Sequence, residues 1–292
     1  MRAVAVALLA GLAVLVAPLS VATQERPLPD PEVFFREARQ RLQPDEARQS
    51  GYVYVETRRE LKLDKSGRTT RESVDVFESY PGLPGQPRWQ RQLQKDGRPV
   101  PPSELARQDR ERQQKVTEYA RRRERNPAQV EREDAKRRAD EQRELDEAID
   151  DALRVYEMRM TGREVVGGHD TIVITFTPRK NVRTRTRAGR VMKHFAGTAW
   201  VSESEYELVR LEAEAIETAS FGLGLLARVH KGSRVAFERR KVNGEAWLPA
   251  SASYTATARV MLLKMLRVGG TSEFSDYRKF GVTTELKVGT PK

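Results

Sequence analysis

The sequence predicts a mainly β chain with helices, an antiparallel sheet of about ten or eleven strands interrupted by one long charged helical insertion. Three observations carry that prediction. Gly197 to Glu217 reads as a hairpin: Ala199-Trp200-Val201 is β-prone and Ser202-Glu203-Ser204-Glu205 is a polar turn. From Leu208 the strand returns with Val209, Leu211, Ala213 and Ala215 on one face and Arg210, Glu212 and Glu214 on the other. A strand apolar on one side and charged on the other belongs to an antiparallel sheet with a wet face, not to a parallel sheet buried under helices. Second, turn dipeptides recur between alternating runs, at Asp96-Gly97, Gly167-Gly168 and Asn243-Gly244, where hairpin turns favour residues that accept positive φ. Third, the alternation stops from Pro101 for about fifty residues, replaced by charges of both signs.

The chain opens with Met1 and Arg2 before an apolar run, Ala3 to Ala17, and small residues at Ser20 and Ala22. This has the make-up of a secretory signal peptide, residues 1–22, with cleavage after Ala22; the alternative is a retained anchor. Export to the periplasm as a soluble mature protein is the expectation. There is no cysteine among the 292 residues, which excludes disulfides, thiolate metal sites and a cysteine nucleophile. The formal net charge of +11 raises nucleic acid or an anionic envelope surface as partners. From Leu105 to Asp150 thirteen basic residues meet thirteen acidic ones, so the excess lies in the strand-rich parts. Residues 179 to 190 form a basic loop with six Arg or Lys and no aromatic to stack a base. Nucleic acid is therefore not expected.

In order, Asp30 caps a helix with Pro31 at its first position and Val33, Phe34, Ala38 and Leu42 at helical spacing, inside an N-terminal segment 23–50. Residues 51–100 read as the first part of the sheet, a three-strand meander of Tyr52 to Leu63, Glu72 to Tyr80 and Arg88 to Gln94. Residues 101–153 are the helical insert, with Ser103 as a candidate cap and a break at Asn126-Pro127. Its apolar positions (Leu105, Val116, Tyr119, Val130, Leu145, Ile149, Leu153) are too sparse for a wide core-facing stripe, which suggests a solvated arm or one that docks a protein partner through Leu105 to Asp150. Residues 154–281 resume the strands, with the cleanest alternation at Ile172, Ile174 and Phe176, and 282–292 is a tail.

With an N-terminal helix, about ten strands and an export signal in place, the hairpin at Gly197-Thr198-Ala199-Trp200-Val201 and Leu208 to Glu212, followed by Trp247-Leu248-Pro249, resembles the LolA-like half-barrel of the outer-membrane lipoprotein-sorting carrier. It also resembles uncharacterised exported bacterial envelope proteins. The resemblance covers roughly Tyr52 to Gln94 and Val155 to Phe280. It implies a curved antiparallel sheet, an open half-barrel wrapping helices, with an apolar concave face for acyl chains and a lipid or lipoprotein acyl chain as ligand.

Two apolar stretches exceed what a one-sided sheet needs: Phe221, Leu223, Leu225 and Leu226 on a glycine-interrupted segment, and Met261, Leu263 and Met265 on a run apolar on both faces. These residues, with Trp200, are the candidate ligand-binding set. Catalytic residues, metal ligands and cofactors are not expected. His169, His194 and His230 lack ligand spacing, and no Gly-x-Ser-x-Gly elbow or phosphate-cradling loop occurs. The expected function is non-enzymatic: an envelope protein binding a lipid, acyl chain or other amphipath, or alternatively a structural or scaffolding protein docking a partner through its charged arm.

Overall fold

A computed structural model describes residues 26–41, 48–84, 86–221, 227–260 and 264–280. It contains helices α1 (Pro31–Arg41), α2 (Pro102–Arg125), α3 (Pro127–Val155) and α4 (Arg187–Met192). The strands are β1 (Tyr52–Leu63), β2 (Thr69–Tyr80), β3 (Trp89–Lys95), β4 (Arg98–Pro99), β5 (Tyr156–Val166), β6 (His169–Pro178), β7 (Phe195–Ser202), β8 (Leu208–Ala215), β9 (Ala219–Phe221), β10 (Ala227–Val229), β11 (Arg234–Val242), β12 (Ala246–Val260) and β13 (Lys264–Lys279). Eleven of them form one path in the order β4-β3-β2-β1-β13-β12-β11-β8-β7-β6-β5, and β10 with β9 continues outward from β12. The pairings are antiparallel and the path does not close, so the architecture is a curved open half-barrel.

Local chemistry accounts for most boundaries. Asp30 caps α1 through its Oδ1, which accepts the Val33 N–H at 2.9 Å. Asp96-Gly97, Gly167-Gly168 and Asn243-Gly244 hold positive φ at both positions; the first two are two-residue hairpin loops, and the third is a three-residue loop closed by the pairing of Val242 with Ala246. Asn126-Pro127 divides the insertion into α2 and α3. Ser103 does not cap α2: Pro101 occupies the cap position and no side chain bonds the first turn, because prolines at 101 and 102 leave fewer N–H groups to satisfy.

The 197–217 hairpin is present as β7 and β8, with one correction. A bulge between Trp200 and Val201 pairs Val201 with Leu208 and Trp200 with Arg210, leaving Val209 as the extra residue. Leu208 then packs beside Ile172, Ile174 and Val201, whereas Val209 joins Trp200, Val173, Val166 and Trp247 on the opposite face. Sequence alternation alone had put Val209 with Leu211. Because the side-chain period in a strand is two, one extra residue reverses everything before it.

One face of the sheet carries the helices. Phe34 of α1 is buried on Ile172, Ile174 and Val201, and the end of α3 brings Val155 and Ala152 onto Tyr156, Phe176 and Leu211. The other face of β5 to β8 is sealed by two tryptophans lying among valines. Their indole N–H groups donate to Glu164 at 2.8 Å (Trp200) and Glu205 at 3.0 Å (Trp247), and the Arg210 guanidinium lies 5.1 Å over the Trp200 ring.

The helical insertion has a place that its charge pattern did not announce. It leaves from β4, at one edge of the sheet, and returns at β5, at the other. At the usual rise, α2 and α3 are about 36 Å and about 44 Å long. The pair is thus a strap joining the two free edges. It also covers one of them: β4 is only two residues long, and the Gln108 side chain of α2 accepts the Gln92 N–H of β3 at 2.8 Å and donates to its carbonyl at 3.3 Å. An amide side chain there replaces a missing strand partner.

Candidate functional site

The site is built where the strap passes over the loop between β2 and β3. Pro81-Gly82-Leu83-Pro84 turns tightly: a Cβ on Gly82 would stand 2.2 Å from the Gln86 carbonyl, so only glycine fits. Arg112 of α2 donates to the Pro81 carbonyl at 2.9 Å and Arg137 of α3 to that of Pro84 at 3.0 Å. Beneath the loop, Arg88 donates to the carbonyls of Gln49 (2.8 Å) and Tyr52 (2.5 Å) and to Ser79 Oγ (3.2 Å), with its guanidinium 4.8 Å over the Tyr54 ring. These contacts end on backbone carbonyls and the Ser79 hydroxyl, and Arg137 is also paired with Asp134 of the same helix.

The third wall is α4, which is held to the strap by one buried carboxylate. Asp151 of α3 is fully buried and accepts the N–H groups of Arg185 (2.9 Å) and Thr186 (2.7 Å) and the Thr186 hydroxyl (2.8 Å). Thr186 in turn caps α4 through the Gly189 N–H at 2.8 Å. Gly189 must be glycine, since a Cβ would meet Asp151 Oδ2 at 2.3 Å. Burial pushes the Asp151 carboxyl up, but the bonds from Thr186 and Arg185 and the nearby Arg154 charge outweigh it and leave the group below the ordinary aspartate range.

Between these walls lies a groove of about 640 Å³. Its apolar surface comes from Pro81, Leu83 and Pro84 of the loop, Leu145 and Ala148 of α3, and Ala188 of α4. Arg138, Glu141 and Glu144 of α3 and Arg187 of α4 stand around it and make no ion pair among the described residues. Ser50, Gln86 and Arg88 complete the lining, and a groove that mixes apolar walls with a few charged side chains has the size and make-up of an amphipath site.

A second depression of about 570 Å³ spans β7, β8, β11 and β12 and is lined by small residues such as Gly197, Ala213 and Ser253. Tyr254 and Val235 border it, 41% and 40% exposed. Glu212, Glu214 and Arg234 also line it, and Glu214 is tied to Arg234 at 2.8 Å. Charged lining and ion pairing make it a weaker site for an apolar chain.

Of the residues singled out from the sequence, Leu223, Leu225, Leu226, Met261 and Leu263 lie outside the described residues, and Phe221 and Met265 are described as strand backbone alone. The described strand ends beside them are neighbours: Ala227 of β10 pairs with Phe221 of β9 and with Val260 of β12. Trp200 is buried in the valine and tryptophan layer, on the face away from α1. The groove residues were passed over. Leu145, Ala148, Ile149 and Ala152 recur at spacings of three and four, which is the signal of a short apolar stripe at the end of α3. The histidines are apart: His169 meets Trp247 edge-on with centroids 4.6 Å apart, and His194 Nδ1 meets Glu217 at 2.7 Å. Among the described residues no group of side chains could hold a metal ion, and no helix is long and apolar enough to cross a membrane.

No family model and no curated protein matches the sequence. Solved structures that match it are remote. A domain assigned to outer membrane lipoprotein sorting from Vibrio parahaemolyticus is 8% identical, with a TM-score of 0.33 over 87% of this chain and 93% of that one. A DUF1329 family protein from Desulfovibrio piger is 11% identical, with a TM-score of 0.27 over 89% and 94%. A LolA superfamily protein from Nitrosomonas europaea is 10% identical, with a TM-score of 0.26 over 86% and 94%. The half-barrel assignment rests on the strand order and not on these likenesses.

Proposed function

We propose that this is a non-enzymatic, exported envelope protein, soluble in the periplasm after signal-peptide cleavage, that binds a lipid, acyl chain or other amphipath in the groove beneath its strap. One observation carries the reading: a groove of about 640 Å³ whose loop, α3 and α4 walls supply Pro81, Leu83, Pro84, Leu145, Ala148 and Ala188, with charged side chains among them. Pockets of a few hundred to about 1,000 Å³ with that division of lining suit a ligand with a greasy body and a polar end. The loop wall is tethered by Arg112 and Arg137 and the α4 wall by Asp151, so the groove is formed before any ligand arrives.

Titration of the mature protein with a fluorescent fatty-acid analogue tests it. Uptake should saturate, and Ala148→Phe, which places a ring into the groove from the helix surface, should weaken it by at least about tenfold. The melting temperature should stay within a few degrees, since Ala148 is only half-buried. No saturable uptake by wild type, or undiminished uptake by Ala148→Phe, would sink the reading. The scaffolding alternative draws on a different fact: none of the 24 residues of α2 is buried, so a long ordered helix leaves its outer side open to a protein partner.

A further inference from the structure

The positive charge of this protein is concentrated in one place. Residues 179–193, RKNVRTRTRAGRVMK, contain seven Arg or Lys among fifteen residues and no acid, so this stretch alone matches seven of the eleven net charges. Elsewhere many arginines are paired with carboxylates, among them Arg59 with Glu72, Arg91 with Asp109, Arg107 with Glu104, Arg143 with Asp140 and Arg234 with Glu214. Here Lys180, Arg183, Arg185, Arg187, Arg190 and Lys193 are exposed and make no ion pair among the described residues. We infer that this cationic edge docks the protein on an anionic lipid surface.

The backbone beneath the charges is anchored inward, which leaves the cations with nowhere to turn but out. Val182 and Met192 pack onto the Tyr156 and Phe176 core, and the Tyr156 hydroxyl donates to the Met192 carbonyl at 2.8 Å. Arg179 spends its Nε on the Tyr156 carbonyl at 3.1 Å. Asp151 beneath the loop is occupied by backbone N–H groups, the Thr186 hydroxyl and Arg154 of its own helix, and is paired with none of the outward cations. The carboxylates at the margins are taken, Glu157 by Arg159 at 2.5 Å and Glu217 by His194. Six unscreened like charges held together repel one another, and an anionic surface relieves that repulsion.

The chemistry of the edge selects the partner. It has no aromatic on which a base would stack, which disfavours single-stranded nucleic acid. It exposes no aromatic or large aliphatic anchor of the kind that centres a protein interface, since Val182 and Met192 face the core. A row of cations alone matches a plane of phosphate headgroups. Thr186 to Ala188 also form a wall of the groove, so the docked protein would hold that groove beside the headgroups. Docking holds whether or not the groove takes a ligand.

The test is co-sedimentation of the full mature chain with vesicles of phosphatidylcholine, with and without phosphatidylglycerol. Wild type should pellet only with the anionic vesicles and be released by salt as screening shortens the reach of each charge. Neutralising the edge with Arg183→Gln, Arg185→Gln, Arg187→Gln and Arg190→Gln together should weaken binding several-hundredfold, on the order of fivefold for each cation. The matching control removes the same charge from the strap, with Arg110→Gln, Arg121→Gln, Arg125→Gln and Arg132→Gln, and should keep most of the affinity. Equal loss in both variants would overturn the inference in favour of net charge alone. So would wild type that ignores phosphatidylglycerol, or one that binds a Glu-rich peptide tightly and no vesicle. Circular dichroism of both variants shows that they fold, and the salt titration of wild type decides the matter if one does not.

Discussion

Strands at the two ends of the sheet are built from similar residues and end up in different surroundings. β6 has five buried positions among its ten, including Ile172 at 0% and Ile174 at 4% exposure, whereas β2 has one, Ser79, among its twelve. Both contain Val, Thr or Phe in alternation. The difference is the cover: β6 lies between α1 and the end of α3 on one face and the Trp200 and Trp247 layer on the other. Phe77 of β2 has the Arg58 guanidinium 4.8 Å over its ring, and its neighbour Glu56 is a buried carboxylate held by Gln90 (3.0 Å), Ser272 (2.8 Å) and Arg58. One end of the half-barrel is a packed core, and the other is a sheet braced by polar contacts. Burial is set by what the rest of the chain lays on a strand, and the strand's own pattern only permits it.

The contrast is most sharply broken by truncating one residue at each end. Ile172→Ala should cost about 4 kcal/mol, because a fully buried side chain leaves a cavity its neighbours cannot fill. Phe77→Ala, though it removes more atoms, should cost only about 1 kcal/mol at a half-exposed site. Chemical denaturation of the two variants measures both, and equal losses would mean that the ends are packed alike.

Asp151→Asn should cost about 3 kcal/mol, since an amide turns two donors of its own toward the N–H groups that Asp151 accepts. The pH dependence follows from the lowered carboxyl. A group whose folded pKa is depressed adds stability that is complete above the unfolded value, here 3.8, and is lost as pH falls through the folded one. Wild type should therefore lose stability below about pH 4, and Asp151→Asn should flatten that acid limb. An unchanged acid limb would place the titrating groups elsewhere.

A milder test replaces residues 105 to 150 with a flexible linker long enough to join the two edges. The sheet should keep a cooperative melt, because within that span only Val130 and Asp134 are buried, and Asp134 is held by Tyr119 and Arg137 of the strap itself. The loss should be about 2 kcal/mol, mainly from the Arg91 pair with Asp109 and the Gln108 contacts, while amphipath uptake disappears. A variant that no longer shows β-type circular dichroism would make the strap part of the core. The smallest effect belongs to Trp200→Phe, about 1 kcal/mol for the lost bond to Glu164, read from the denaturation midpoint.

The features legible in the sequence were those written within a few residues. Positive φ at Asp96-Gly97, Gly167-Gly168 and Asn243-Gly244, the cap at Asp30 and the break at Asn126-Pro127 depend on steric limits of adjacent units, and so does the alternation of Ile172, Ile174 and Phe176. The basic composition of residues 179–190 was equally plain. Tertiary structure decided what long separations decide. The strap's role in joining β4 to β5 follows from strand order, the Asp151 clamp joins residues 34 and 35 positions apart, and the reversal at Val209 comes from one extra residue opposite Trp200. The groove needs three walls from loop, α3 and α4, none of which is apolar enough alone to mark a site. Backbone preferences act through adjacent atoms and can be read along the chain, whereas a cavity or a buried charge exists only once distant segments exclude water together.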